Sequence, residues 1–273
     1  MAWLKVSFLD VGHGDFIYAE TPLGDNLVID VGTGDVMPYK FLSNVSTISE
    51  LQVSHPHTDH FDDIVAMSEK TIKSFRCVSL DKFADDKIGW KKSDKKKIAK
   101  LRELRTTTKA DNAAVSVGNG FSHTVWYPDN VDTNDPNTAS LITTLSYQGV
   151  KILFGADLPA KGWEELLKKD TFVNAISGTS ILKASHHGRK EGCSKELFDV
   201  ISPMLCIISD KSLDKDNKNT TATNWYTERS TGCNIVGYTD QKKVLSTRAN
   251  GSICITVNEK GEWWVYPNTT WRA

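Results

Sequence analysis

The chain contains no CxxC pair, and its five cysteines (Cys77, Cys193, Cys206, Cys233 and Cys254) are odd in number and widely spaced. That pattern excludes a disulfide framework and a cysteine-built zinc site. The expectation is reduced thiols in a cytoplasmic protein. No stretch reaches the roughly 20 apolar residues of a membrane span. The opening MAWLKVSFLDVG has no long apolar segment and runs straight into strand-like sequence, so no signal peptide is expected. Strong charge of either sign is lacking too. The net charge of −1 leaves the molecular field silent about partners. Repeats and Gly- or Pro-rich linkers are absent, and the expectation is one domain over 1–273.

Hydrophobic residues make up 39% and charged residues 25%, as in ordinary globular proteins. A chain of 273 residues buries a core without staples, so a metal here would serve chemistry rather than folding. Charge is uneven locally. Between Lys87 and Arg105, Lys87, Lys91, Lys92, Lys95, Lys96, Lys97, Lys100, Arg102 and Arg105 outnumber Asp94 and Glu103. That stretch predicts a cationic helix, with Ile88, Trp90, Ile98, Leu101 and Leu104 as its apolar side.

The first third reads as strands joined by glycine turns: Trp3–Leu9, FIYAE, LVIDVG and ISELQVS, with GHGD (12–15) and TPLGDN as turns. DDIVAMSEK has helical spacing, with Asp62 and Asp63 suited to a helix N-terminus. SFRCVSL, AAVSV, SHTVWYP, ASLITTLSY and VKILFGAD are expected strands. Further on, helices are expected at GWEELLKK and SKELFDVI, and strands at SILKAS, MLCIIS, SICITV and EWWVYP. The polar stretch DKSLDKDNKNTTA (210–222) is the expected loop. Such an order suits two packed sheets with helices outside.

Histidine is scarce, seven in all, yet three of them sit in VSHPHTDHFDD (53–63). His55 and His57 are two apart and share a side on extended chain. Asp59 and His60 follow where the chain turns helical, and such a turn can aim all four groups at one point. Imidazole and carboxylate are the ligands of zinc and similar first-row metals.

The HxHxDH pattern resembles the signature of the metallo-β-lactamase superfamily. FLDVGHGDFI (8–17), LVIDVG (27–32), NTASLITTLSYQGVKILFGADL (137–158) and LKASHHGRKEG (182–192) resemble, in order, elements of its ComEC/Rec2-type competence branch. The resemblance implies an α+β fold: an αββα sandwich of two mixed β-sheets flanked by helices. It implies two divalent metal ions, zinc first and manganese second. His55 and His57 would hold one ion, Asp59 and His60 the other, and Asp157 would bridge them. His186 or His187 would complete the site, and the sequence does not choose between them. The other would contact substrate or donate a proton. Asn137 stands where many members carry another histidine. Phe61, Asp62 and Asp63 replace the small residues that usually follow the motif.

His13, Asn137, Lys183 and Arg189 are expected substrate contacts, with Lys183 and Arg189 neutralising a phosphate near the metals. Asp59, His186 and His187 are the expected catalytic groups. Asp15 and Asp30 are expected to orient ligands, and His123 to be structural. The expected function is a metal-dependent phosphodiesterase or nuclease, with nucleic acid or another phosphodiester as substrate and the 87–105 stretch touching phosphate. Two alternatives stand beside it: a small-molecule hydrolase (a phosphorylcholine-type esterase, a cyclic-nucleotide phosphodiesterase or a lactonase) and a non-catalytic binding protein on the same fold. Adjacent Trp263 and Trp264 should face opposite sides of a strand, leaving one to mark a protein partner's surface, such as a component of a multi-gene system.

Overall fold

The computed structural model describes residues 2–83, 88–211 and 221–269. Most of the expected polar loop 210–222 and Lys87 lie outside the described residues.

Two mixed sheets form the centre. The first runs in the order β13 (Trp263–Tyr266), β12 (Ile253–Val257), β1 (Leu4–Phe8), β2 (Ile17–Glu20), β3 (Asn26–Ile29), β4 (Thr47–Val53) and β5 (Thr71–Cys77). The second runs β11 (Val244–Ser246), β10 (Leu205–Ile208), β9 (Ile181–Lys183), β8 (Val150–Phe154), β7 (Ile142–Tyr147) and β6 (Phe121–Trp126). Strands β3, β4 and β5 are parallel to one another, and so are β8, β9, β10 and β11. The remaining pairs are antiparallel.

Alternation along the strands decides the layers. Leu4, Val6, Phe8, Ile17, Ala19, Leu27 and Ile29 point between the sheets, where they meet Leu145, Ile152, Phe154, Ile181 and Leu205. Their neighbours Tyr18 and Val28 point outward, with Leu51 and Val53, onto the helices Ile64–Met67 and Lys95–Thr107. The outer face of the second sheet carries the helices Ala160–Leu167, Asp170–Ile176, Lys195–Val200 and Thr223–Arg229. This is the expected αββα sandwich.

Some local expectations fail. AAVSV forms no strand: only Val115 is buried, and Val117 stays exposed. The helix expected over 87–105 is interrupted: Ile88 is helical, Gly89 to Lys91 are not, and the long helix runs from Lys95. Asp63 stands at the N-cap of the helix Ile64–Met67, but neither it nor Asp62 makes a side-chain cap bond. Asp62 instead takes Thr33 and Lys97, and Asp63 accepts the backbone N–H of Tyr39 at 2.7 Å. Trp263 packs on the inter-sheet core and Trp264 against Trp3, so neither indole stands exposed. His123 is structural, as expected. It lies 3.1 Å from Gln52 and 3.6 Å from Glu50 in a polar cluster between the sheets.

Candidate metal centre

The parallel strands place the chemistry. His55, His57, Asp59 and His60 follow the end of β4, Asp157 follows β8, and His186 and His187 follow β9. Asp15 lies in the β1–β2 connection, and Asp30 directly follows β3. These connections meet at one edge of the sandwich.

Close backbone approach makes this possible. A Cβ on Gly14 would sit 2.4 Å from the carbonyl oxygen of Asp59, and one on Gly32 would sit 2.3 Å from the same atom. Glycine at both positions lets the GHGD and IDVG turns close on the histidine turn. The backbone seals the contact: Val31 N–H donates to the His60 carbonyl at 2.8 Å, and Gly32 N–H to that of Asp15 at 2.8 Å. Asp30, Ala156, His186 and His187 all have left-handed backbone, with φ between 44° and 60°. Such conformations cost roughly 1–3 kcal/mol each, and their concentration here is characteristic of a functional edge.

Hydrogen bonds behind the histidines fix which nitrogen faces inward. His60 Nδ1 donates to Asp30 at 2.7 Å. His55 Nδ1 lies 3.1 Å from Ser54 Oγ, which itself donates to Asp30 at 2.8 Å. His187 Nδ1 donates to the Ser209 carbonyl at 3.1 Å. In all three rings Nε2 is the atom turned to the interior, the arrangement that orients metal-binding histidines.

The inward atoms form two overlapping groups, with His60 also within 4.8 Å of the ligand atoms of His55 and Asp157. In one, His55 Nε2 is 3.0 Å from His57 Nδ1 and 3.9 Å from Asp157 Oδ2. In the other, His60 Nε2 lies 3.7 Å from Asp59 Oδ2 and 3.5 Å from Asp157 Oδ2. His187 Nε2 completes it, 3.4 Å from Asp59 and 3.3 Å from Asp157. Asp157 belongs to both. Zinc–nitrogen and zinc–oxygen bonds of about 2.0–2.2 Å in tetrahedral array put neighbouring ligand atoms roughly 3.3–3.5 Å apart, close to these spacings. His60 Nε2, His187 Nε2 and Asp157 Oδ1 are buried without a hydrogen-bond partner. Unpartnered buried polar atoms are costly, and a cation between them would satisfy all three. The donors present therefore fit two divalent ions.

Protonation follows the same layout. Burial, then the charge of His60, holds His55 well below the ordinary histidine range, keeping its lone pair free. Burial opposes charge on His60 too, but Asp157, Asp30 and Asp59 override it and hold His60 well above that range. His187 is likewise pushed up to about 9: Asp157 and Asp59 outweigh its burial. The carboxyls of Asp59 and Asp157 fall well below their usual range, because imidazolium neighbours outweigh burial. Without metal, two imidazolium protons thus balance the carboxylates.

The other expected residues divide. His13 faces the open side, its Nε2 3.4 Å from Asp59 and its side chain 31% exposed. Arg189 stands against the His13 ring at 3.4 Å. His187 belongs to the donor group. His186 does not, although its backbone N–H donates to Ala156 beside Asp157 and its Nδ1 is buried without a partner. Asn137 lies in a short turn whose amide oxygen is buried and unpartnered, and no donor atom of the cluster contacts it. Lys183 is a correction. It is fully buried on a central strand and its ammonium is taken by Asp15, so it cannot meet substrate. The sequence reading missed Ser54, Ser209 and Asp210, which lies 3.7 Å from His13. For Asp210 a signal existed: it ends a strand, as Asp157 does.

No family model matches the chain, and no curated protein sequence matches it. Solved structures do. The metallo-β-lactamase fold protein YhfI of Bacillus subtilis is 13% identical, with 97% of this chain and 100% of that chain covered and a TM-score of 0.52. Igni18, a metallo hydrolase of the archaeon Ignicoccus hospitalis, is 11% identical, with 92% and 98% covered and a TM-score of 0.50. The chain has the metallo-β-lactamase fold. These likenesses do not single out the competence branch.

Proposed function

We propose that the chain is a metal-dependent hydrolase that cleaves phosphodiesters, with nucleic acid as substrate, acting as one domain in the cytoplasm. The observation that carries the hydrolase reading is Asp157, whose carboxylate is shared by two donor groups. Igni18 is described as a metallo hydrolase, which agrees with it. Two divalent ions held there supply a nucleophile at neutral pH and a clamp for the phosphate oxygens.

The chain's own residues do the rest. His55 and His57 hold one side of the centre; Asp59, His60 and His187 hold the other. Asp30 and Ser54 lock the rings. His13 and Arg189, on the open side, bind the phosphate and meet charge developing on the leaving oxygen. His186 stands beside Asp157 as a substrate contact, its imidazole kept neutral by burial. The phosphodiester reading draws on the resemblance to the competence branch and on the lysine-rich segment beside the site.

A second reading, a small-molecule hydrolase, is favoured by one feature. A cavity of about 200 Å³ beside the end of β5 is lined by Val78, Tyr127, Pro128, Val131 and Leu141, an apolar pocket suited to a small acyl or aromatic group. The experiment is incubation with zinc or manganese and three substrates: plasmid DNA, single-stranded RNA and bis-p-nitrophenyl phosphate. Nucleic-acid cutting that disappears in His55→Ala supports the proposal. Cleavage of the small diester alone turns the assignment to the second reading.

A further inference from the structure

The segment before and along the helix Lys95–Thr107 is clamped to the histidine turn at two points. Trp90 Nε1 donates to the carbonyl of Pro56 at 2.9 Å, and Pro56 lies between His55 and His57. Lys97 pairs with Asp62, two residues past His60. The same segment forms a groove of about 440 Å³ lined by Trp90, Lys91, Lys92, Lys95, Ile98 and Arg102.

Three lysines of this groove are left for a ligand. Lys91, Lys92 and Lys95 are exposed and form no ion pair with another described residue. Among the described residues, the acids from Lys91 to Arg105 are turned elsewhere. Asp94 is buried, accepts the Lys91 backbone N–H at 2.9 Å and lies 3.8 Å from Lys97. Glu103 is taken by Lys100 at 2.7 Å. The groove also offers flat surfaces: the Arg102 guanidinium lies over the Trp90 ring, 5.5 Å from its centre.

We infer that this groove is the track for a single-stranded nucleic acid whose scissile phosphate lies at the metal centre. The inference rests on the phosphodiester reading above. A row of unneutralised cations beside a stacked aromatic–guanidinium pair is how single strands are held without base readout. The phosphates meet Lys91, Lys92 and Lys95, and a base lies against Trp90 or Arg102. Trp90 lines the groove and bonds to Pro56, between His55 and His57, so the groove adjoins the ligand turn.

The test is fluorescence anisotropy of a fluorescein-labelled 12-nucleotide oligo-dT in the presence of a chelator, so that nothing is cut. Wild type is compared with the K91E/K92E/K95E variant, after circular dichroism and reloaded zinc content show that the variant is folded. The expected result is at least a tenfold loss of affinity. The slope of log affinity against log salt should also fall by about 2, as for about three lost contacts to a single strand. Equal affinity and slope in the two proteins overturn the inference. Tighter wild-type binding of the matching duplex than of the single strand overturns the single-strand assignment. Wild-type turnover of bis-p-nitrophenyl phosphate, measured separately, decides the parent reading. Its failure would remove the hydrolase and leave the anisotropy result to judge the groove by itself.

Discussion

At the scale of single residues, the candidate centre depends on atoms that never touch an ion. Asp30 takes the His60 Nδ1 proton directly and the His55 ring through Ser54. Replacing Asp30 by Asn keeps the shape but loses the charge that orients His60. Metal affinity is expected to fall about 10- to 100-fold, read by competition with a chromophoric zinc chelator. His187 gives a pH prediction whose sign is fixed. Its pKa in the metal-free fold is about 9, above the ordinary value of 6.5. The stability it contributes is therefore complete below about 6.5 and lost as pH rises through about 9. Metal binding runs the other way, since the ligand must lose that proton. Chelator-treated protein should lose denaturant resistance between pH 6.5 and 9, while zinc affinity climbs over the same window. A flat response in both would remove His187 from the donor set.

Much of the site was legible at this scale because it is local. HxHxDH carries four donors in six positions after an apolar strand, and Asp157 ends another. Lys183 was misread for a physical reason. Its place beside the HHG element suggested the rim, but it ends β9, which is paired on both sides by β8 and β10, and so lies inside. Ser54, Asp30 and Ser209 meet the histidines only through tertiary folding, so sequence spacing could not assign their partners. His187 was separable from His186 only once the strained turn of Ser185–Gly188 was in view.

At the scale of elements, the turns do what the strands cannot. Gly14 and Gly32 each meet the Asp59 carbonyl, one in the β1–β2 connection and the other after β3. Gly32→Ala forces the histidine turn to move. The expected loss is about 1–3 kcal/mol of stability, with metal content falling as well. Chemical denaturation and metal analysis check it, and full metal binding at unchanged stability would contradict the close approach. The buried Lys183–Asp15 pair ties β9 to the β1–β2 connection, and so one sheet to the other. Lys183→Met alone should cost about 3–5 kcal/mol by stranding a buried carboxylate. Adding Asp15→Leu should recover most of that, since neither charge is then unpaired. Failure of the second substitution to recover stability would mean that Asp15 has a further role at the centre, where it lies 3.9 Å from His60.

At the scale of the molecule, the layer order followed from alternation along the strands and was readable. Val28 and Leu27 point to opposite sides, and the helices cover the outer faces. Less readable were short elements without strong pattern, such as the helix Asp170–Ile176 and the strand Val244–Ser246. Their place is set by contacts with Trp163 and β10, not by their own sequence. The fold matters to function because its two sheets bring separate strand ends to one edge. The first supplies His55, His57, Asp59 and His60; the second supplies Asp157 and His187. Asp157 is where the two halves meet. The most direct measurement is therefore metal stoichiometry by mass spectrometry after loading with zinc and removing excess. Wild type should carry two ions per chain, and a folded Asp157→Ala variant fewer than one. Two ions retained without Asp157, or none bound by the wild type, would contradict a centre built on a shared carboxylate.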